Sequence, residues 1–448
     1  MSSYIAKRVP VHRGPAAWSA ILPGQDAAVE LESDLNADVV IVGAGFAGLS
    51  AARRLVQLAP DIKIAVLEAG RIAEGASGRN SGFMIDLPHE LAAEDYAGHG
   101  VGSDEKMIAL NRKAIAFART AVGDYGIHSA YFDPVGKVNG AASAKAENLN
   151  RSYAKHLNEL GESNEMLDAR SMLALTGSRH YTSGLYTPGT VMLQPAGYIR
   201  GFASGLRRDG VMIYENTAVL KLETAGSGWL VQSAKHRITA GKVILANNGH
   251  LESFGFAKQR LMHIFLFASM TVDLGSVALK VMGGRPRWGV TPSDPMGTTM
   301  RRIDNAQGGN RIITRTCASF LPGMVASETA LQRTSLVHRQ KFDQRFPNLK
   351  DVAMEFTWAG HLCLSRNGVA VMRELDKNLY SACVQNGLGT ARGTLTGIGA
   401  AELTCGVSSE ITQHFTAEVQ PTLLPPPPLS TIGANLYLRW QEKRAGNE

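Results

Sequence analysis

Three glycines, one carboxylate and the spacing between them carry the first chemical signal in this 448-residue chain. Gly43, Gly45 and Gly48 stand in the pattern G-x-G-x-x-G with Phe46 and Ala47 between them, and Glu68 lies twenty residues beyond Gly48. In such a pattern the first glycine permits a tight turn. The second lets the backbone approach a diphosphate, and the third lets helix and strand pack closely. A helix opening there would offer unpaired N–H groups and partial positive charge to phosphate oxygens. Glu68 can accept hydrogen bonds from both hydroxyls of an adenosine ribose, and a carboxylate in that place disfavours a 2′-phosphate. Taken alone, the glycine pattern is a weak signal, so its flanks decide.

Those flanks supply the right elements. Residues 38–42 (Asp-Val-Val-Ile-Val) form the β-branched run of a strand buried on both faces of a parallel sheet. Residues 49–58 have apolar positions at helical spacing, and a second apolar run, 62–67, ends at Glu68. Strand, glycine turn, helix, strand and acid together predict a dinucleotide-binding domain. After Ala69, an NAD domain usually goes directly to another helix and strand. This chain instead inserts a loop of small residues, 69–84, able to wrap a long cofactor, with Arg79 and Asn80 set among them. A plain surface loop is the competing reading.

Composition bounds the alternatives. At roughly 100–200 residues per domain, the length predicts two or three cores. With 44% apolar and 19% charged residues, the chain is neither disordered nor a coiled coil. Its net charge of +7 comes as scattered pairs such as Arg53 with Arg54 and Arg207 with Arg208, with only 7% aromatics, which argues against a nucleic-acid partner. Cys317, Cys363, Cys383 and Cys405 form no C-x-x-C pair, so neither a metal site nor a disulfide framework is expected. Residues 1–36 lack the apolar run of a signal peptide, and the longest apolar stretch, 261–270, reads as a buried strand and not a membrane span. A cytoplasmic location is expected.

Residues 75–83, Gly-Ala-Ser-Gly-Arg-Asn-Ser-Gly-Phe, resemble the second fingerprint of the D-amino-acid oxidase superfamily of FAD enzymes, which includes glycine and sarcosine oxidases. The G-A-S-G-R-N form is most similar to the γ-glutamylputrescine oxidase branch. The resemblance implies that Ser77, Arg79, Asn80, Ser81 and Gly82 contact the cofactor. It continues along nearly the whole chain. Residues 194–198 resemble the entry to a third cofactor segment, 210–219 the strand whose valine, here Val219, holds the adenine, and 242–250 a strand and turn that would bring in Ala246 and Asn247. His250 stands where the family usually has a tyrosine. Residues 355–360 resemble the "W-x-G" strand that returns toward the flavin. The strand 379–384 and the turn Gly387-Leu388-Gly389-Thr390 would sit at the flavin ring edge, where positive potential stabilises the reduced ring. Gly393, Gly397 and Gly399 in the following helix imply close packing on the sheet.

Two departures from the family bear on chemistry. Amino-acid-oxidising members carry an arginine two residues after the "W-x-G" glycine as a carboxylate clamp; here that residue is Leu362. Sarcosine-oxidase-like members attach flavin through a cysteine in this strand, where Gly360 stands, with Cys363 three residues off; non-covalent FAD is therefore expected. His361 is either a core histidine or a substrate contact. His361 and His250 are the substrate-side candidates, and no catalytic residue is assigned.

The expected fold is α/β: a two-domain flavoprotein with a Rossmann-type FAD domain from 34–100, 195–255 and 350–420 and a mixed-sheet substrate domain from 101–194 and 256–349. Residues 1–33 are an N-terminal extension, and 421–448 are a proline-rich tail with a basic helix over 435–444, expected to pack on the chain's own core. The expected reaction is oxidation of a C–N bond in a small amine, with hydride passing to flavin N5, imine hydrolysis by water, and oxygen or another acceptor taking the electrons. The first alternative is an oxidase or dehydrogenase of a secondary amino acid, which needs a clamp elsewhere, at Arg301, Arg302 or Arg315. A nicotinamide-dependent dehydrogenase and a non-catalytic nucleotide-binding module complete the set.

Overall fold

The computed structural model describes residues 2–88 and 101–448, and residues 101 and 102 by their backbone only. The end of the expected segment 34–100 therefore lies outside the described residues. Among those described, two large sheets dominate.

The first has nine strands. Leu35–Val42 is its central strand, with Ile64–Leu67 parallel on one side and Arg237–Leu245 parallel on the other. Met212–Tyr214 continues the parallel set beyond Ile64–Leu67. Val39, Val40 and Ile41 are all buried, as the β-branched run requires. Arg237–Leu245 forks: its first half pairs antiparallel with Gly228–Gln232, and its second half pairs parallel with Leu379–Cys383. Helices Phe46–Leu58, Pro195–Arg208 and Ala391–Thr404 share one apolar cluster with this sheet.

The second sheet runs in the order Met354–Ser365, Leu261–Thr271, Arg311–Phe320, Thr299–Ile303, Trp288–Pro292, Lys137–Ala141, Ser183–Thr187, Glu165–Asp168. Its pairs are antiparallel except Trp288–Pro292 with Lys137–Ala141, so the sheet is mixed. The architecture is the expected one: a Rossmann-type half and a mixed-sheet half.

Three details differ from the expectations. The expected N-terminal extension is, over its described residues 2–33, no appendage: Ser3–Ile5 is an edge strand of the first sheet, paired with Lys221–Ala225, and Trp18 is fully buried. Met354–Ser365, placed by sequence in the cofactor half, is the edge strand of the second sheet along its whole length. A strand's composition states that it is buried, not which neighbour it takes. The last helix, Leu429–Ala445, starts six residues earlier than expected. It packs Ala434 and Leu438 on the cluster of Ile264, Ala318 and Phe320, and adds bonds between Asn435 and the backbone of Phe320 and from the Ala318 N–H to Glu442.

Candidate active site

A single crevice gathers nearly all of the sequence-predicted positions. Gly43, Gly45, Phe46, Ala47, Glu68, Ala69, Ser77, Arg79, Asn80, Ser81, Val219, Ala246, Asn247, Gly387, Leu388, Gly389, Thr390, His250 and His361 all line it.

At one end the strand Leu35–Val42 turns into the helix Phe46–Leu58. Gly43 has φ +108°, a region open to glycine, and a Cβ on Gly48 would overlap the Gly43 carbonyl. Gly45 is the N-cap; no side chain caps this helix, and its first turn holds no acidic residue. Its leading N–H groups are therefore left for an anion. Beside them, Glu68 accepts from the N–H of Ala44 at 2.8 Å and of Gly70 at 3.2 Å. Burial pushes the Glu68 carboxyl up, and those N–H donors oppose the shift.

A second helix opens on the same crevice. Ala391–Thr404 begins at Thr390 with no side-chain cap, since the Thr390 hydroxyl donates instead to the Phe83 carbonyl at 2.8 Å. Gly389 has open space where a Cβ would stand. The two helices lie against each other: a Cβ on Gly397 would overlap the Ala47 carbonyl, and one on Gly393 would press on Phe46. The expected close packing on the sheet holds at Gly399, whose Cβ would press on Met372 of the sheet strand Val371–Asp376, whereas Gly393 and Gly397 pack on the neighbouring helix.

The second sheet forms the opposite wall. Trp358, Ala268, Arg315 and Thr299 stand opposite one another on four successive strands, and all four line the crevice. Trp358 Nε1–H donates to the Arg79 carbonyl at 3.0 Å, tying this wall to the loop 69–84.

A profile of the family described as FAD dependent oxidoreductase (DAO) matches residues 38–403. This chain belongs to that family. Among curated relatives it is 23% identical to a probable oxidoreductase, OrdL, of Rhizobium meliloti, over 90% of this chain and 91% of that protein. It is 24% identical to the gamma-glutamylputrescine oxidoreductase of Escherichia coli, over 84% and 85%. Among solved structures, glycine oxidase from Geobacillus kaustophilus superposes with a TM-score of 0.68 at 16% identity, covering 84% of this chain and 96% of that one. The L-amino acid deaminase of Proteus myxofaciens superposes with a TM-score of 0.65 at 17% identity, covering 90% and 96%.

For an FAD-dependent oxidoreductase the crevice is chemically apt: two uncapped helix N-termini, the Glu68 carboxylate beside the first of them and a cleft between glycines where no Cβ intrudes. No cysteine lines it. Cys363 is fully buried in the apolar cluster behind the strand, and burial holds its thiol well above the usual range, consistent with non-covalent FAD.

Several residues carried over by resemblance hold the loop and do not face the crevice with a free side chain. Gly82 is outside the lining; a Cβ there would meet the Arg301 guanidinium and the Leu193 carbonyl. Gly48 is likewise outside it, occupied with helix packing. The Arg79 guanidinium donates to the carbonyls of Glu74, Arg13 and Ala359. Asn80 donates to Ser77 and accepts from Gly82 N–H. Of the three arginines considered as a carboxylate clamp, Arg301 binds the carbonyls of Ser81 and Gly82, Arg302 binds that of Gly283, and Arg315 alone reaches the crevice.

Sequence reasoning missed one part of the site and named another, Arg315, only as one of three candidates. Residues 8–12 line the crevice, and nothing in their composition announces it. Arg315 had a signal: Ile313 and Arg315 alternate onto the crevice face of Arg311–Phe320.

Proposed function

We propose that this enzyme oxidises the C–N bond of a small amine or amino compound, giving an imine that water hydrolyses. The observation that carries the reading is the single crevice joining two helix N-termini and Glu68 to the wall of Trp358, Ala268, Arg315 and Thr299. When bound there, FAD supplies the two-electron acceptor, taking hydride at N5 from the carbon next to a neutral amine. The N–H groups opening Phe46–Leu58 would hold the diphosphate, Glu68 the ribose and Val219 the adenine end. The opening of Ala391–Thr404 would face the ring edge with positive potential. Leu266, Phe267 and Trp358 exclude water from the reacting carbon.

Arg315 favours a second, narrower reading, in which the substrate also carries a carboxylate. A guanidinium on the crevice face binds carboxylate in a two-point fork, and it stands on a different strand from the clamp position that Leu362 leaves apolar.

The test is anaerobic reduction of the FAD-loaded protein across amines paired with their carboxylated analogues. Bleaching of the flavin by at least one member supports C–N oxidation; no bleaching by any member sinks it. Arg315→Met is expected to raise KM for carboxylated substrates by about 10- to 100-fold, the worth of a charge-assisted hydrogen-bond pair, with kcat little changed. An equal loss on carboxylate-free amines would overturn the clamp.

A further inference from the structure

Behind the strand Met354–Ser365 lies a chain of ionisable groups that the reaction above does not yet use. His361 lines the crevice. Its Nε2 lies 3.1 Å from Nδ1 of His263, and Nε2 of His263 lies 2.6 Å from Oε2 of Glu252. His263 is buried, whereas the Glu252 side chain is 20% exposed, so the chain runs from the crevice to solvent. Its geometry is built. Glu252 is fixed by a second bond, from Gln259 N–H at 2.8 Å, and His361 stacks on Phe265 with ring centroids 5.0 Å apart. Gly249 makes room for both rings: a Cβ there would stand 2.8 Å from His361 Cε1 and 3.0 Å from His263 Nδ1.

The hydrogen-bond order sets the tautomers that outward proton transfer needs. A carboxylate only accepts, so His263 donates from Nε2, and to receive a proton from His361 its Nδ1 must be the acceptor. His361 must then donate from Nε2, leaving Nδ1 as the nitrogen available to the crevice. We propose that Glu252, His263 and His361 form a proton relay that takes the ammonium proton from the bound amine and delivers it to solvent.

The step balances as proton transfer alone. The substrate N–H bond breaks with its electron pair left on nitrogen, and a bond forms to His361 Nδ1. The Nε2 proton of His361 passes to His263 Nδ1, the Nε2 proton of His263 passes to Glu252, and water removes it. Hydride loss requires that freed lone pair, so the inference rests on the proposed C–N oxidation. The surrounding charges agree with it. Burial, then His263, His250 and His12, hold His361 well below its ordinary value, so it rests neutral. Burial works to raise Glu252, but the bonds from His263 and Gln259, helped by Arg8, outweigh it and keep the carboxylate ionised. Cys363, on the same side, stays a neutral thiol.

Two measurements on the FAD-loaded protein test the relay. The first needs no substrate: nitrogen-15 NMR of labelled histidines at neutral pH should show His361 neutral, with a protonated Nε2 and a bare Nδ1, and His263 carrying a proton on Nε2. A protonated Nδ1 on His361 would overturn the relay, whatever becomes of the proposed reaction. The second uses the amine that reduces the wild-type flavin fastest. Glu252→Gln and His263→Phe should each slow reduction about 100-fold at a pH below that amine's own pKa, the scale of general acid–base assistance. The gap should close above that pKa, where the amine arrives already neutral. A defect of equal size at every pH, or none, refutes the relay, and Gly249→Ala, which wedges the two rings without removing a titrating group, should reproduce the pH-dependent pattern.

Discussion

The Arg79 guanidinium lines the crevice yet turns its donors to the backbone of three separate segments. It donates to Glu74 O at 2.6 Å, Arg13 O at 3.0 Å and Ala359 O at 3.3 Å, joining the cofactor loop to the N-terminal arm and to the second sheet. Arg79→Met keeps the apolar stem but leaves these carbonyls without their donor, at a cost of about 3 kcal/mol. The expected result is a lower Tm even without flavin; a contact serving FAD alone would leave the flavin-free Tm unchanged. His338 makes a prediction of a different kind. It is fully buried beneath the second sheet, bonded to Ser269 and to the Thr316 carbonyl, and burial lowers its pKa to about 4. The unfolded ring, near 6.5, gains its proton first, so stability is present above pH 6.5 and is lost as pH falls from there toward 4. The loss at this one site is about 3 kcal/mol. Melting curves across that window should show it, and His338→Gln should flatten the slope; an unchanged slope would mean that His338 is not the group responsible.

At the scale of elements, the site depends on two helices whose N-termini share one crevice. Their separation is set by glycine: at Gly397 any Cβ would overlap the Ala47 carbonyl, in the first turn of Phe46–Leu58. Gly397→Ala must push the helices apart, at about 1–3 kcal/mol, and should weaken flavin binding along with the Tm. Equilibrium titration of the flavin-free protein with FAD reads this directly, and unchanged affinity would show that the two N-termini need not converge. The strand and glycine turn at 38–48, and their counterparts at 379–390, were legible because burial on both faces selects β-branched residues and a tight turn selects glycine, both local demands. The partner of Gly397 was not legible, since it lies some 350 residues away in sequence. The neighbour of Met354–Ser365 and the bond from His361 to His263 escaped for the same reason: register between distant strands leaves no trace in either strand alone.

For the whole molecule, the part least visible in sequence is the N-terminal arm, because its role comes from where its ends are fixed. Ser3–Ile5 pairs with Lys221–Ala225, and the N–H groups of Ala6 and Lys7 bond to Leu220 and Ser253, all on the cofactor half. Farther along, Arg8 reaches the Pro322 carbonyl, Arg13 reaches that of Ala326, and the Ala359 N–H donates to Arg13, all toward the second sheet. Residues 8–12 cross between these anchors and close one side of the crevice. Removing residues 2–12 deletes only an edge strand from the first sheet, so both sheets keep their remaining pairings and the fold should survive with a modestly lower Tm. The crevice, however, loses a wall and gains solvent along that side. FAD should then leave at least about 10-fold faster, roughly 1.4 kcal/mol of lost retention, seen as the rise of free-flavin fluorescence after dilution. If the arm only buttresses the sheet edge, Ile5→Asp, which disturbs the edge strand and spares residues 8–12, would speed release as much as the deletion does; if the wall itself retains the cofactor, the deletion alone should.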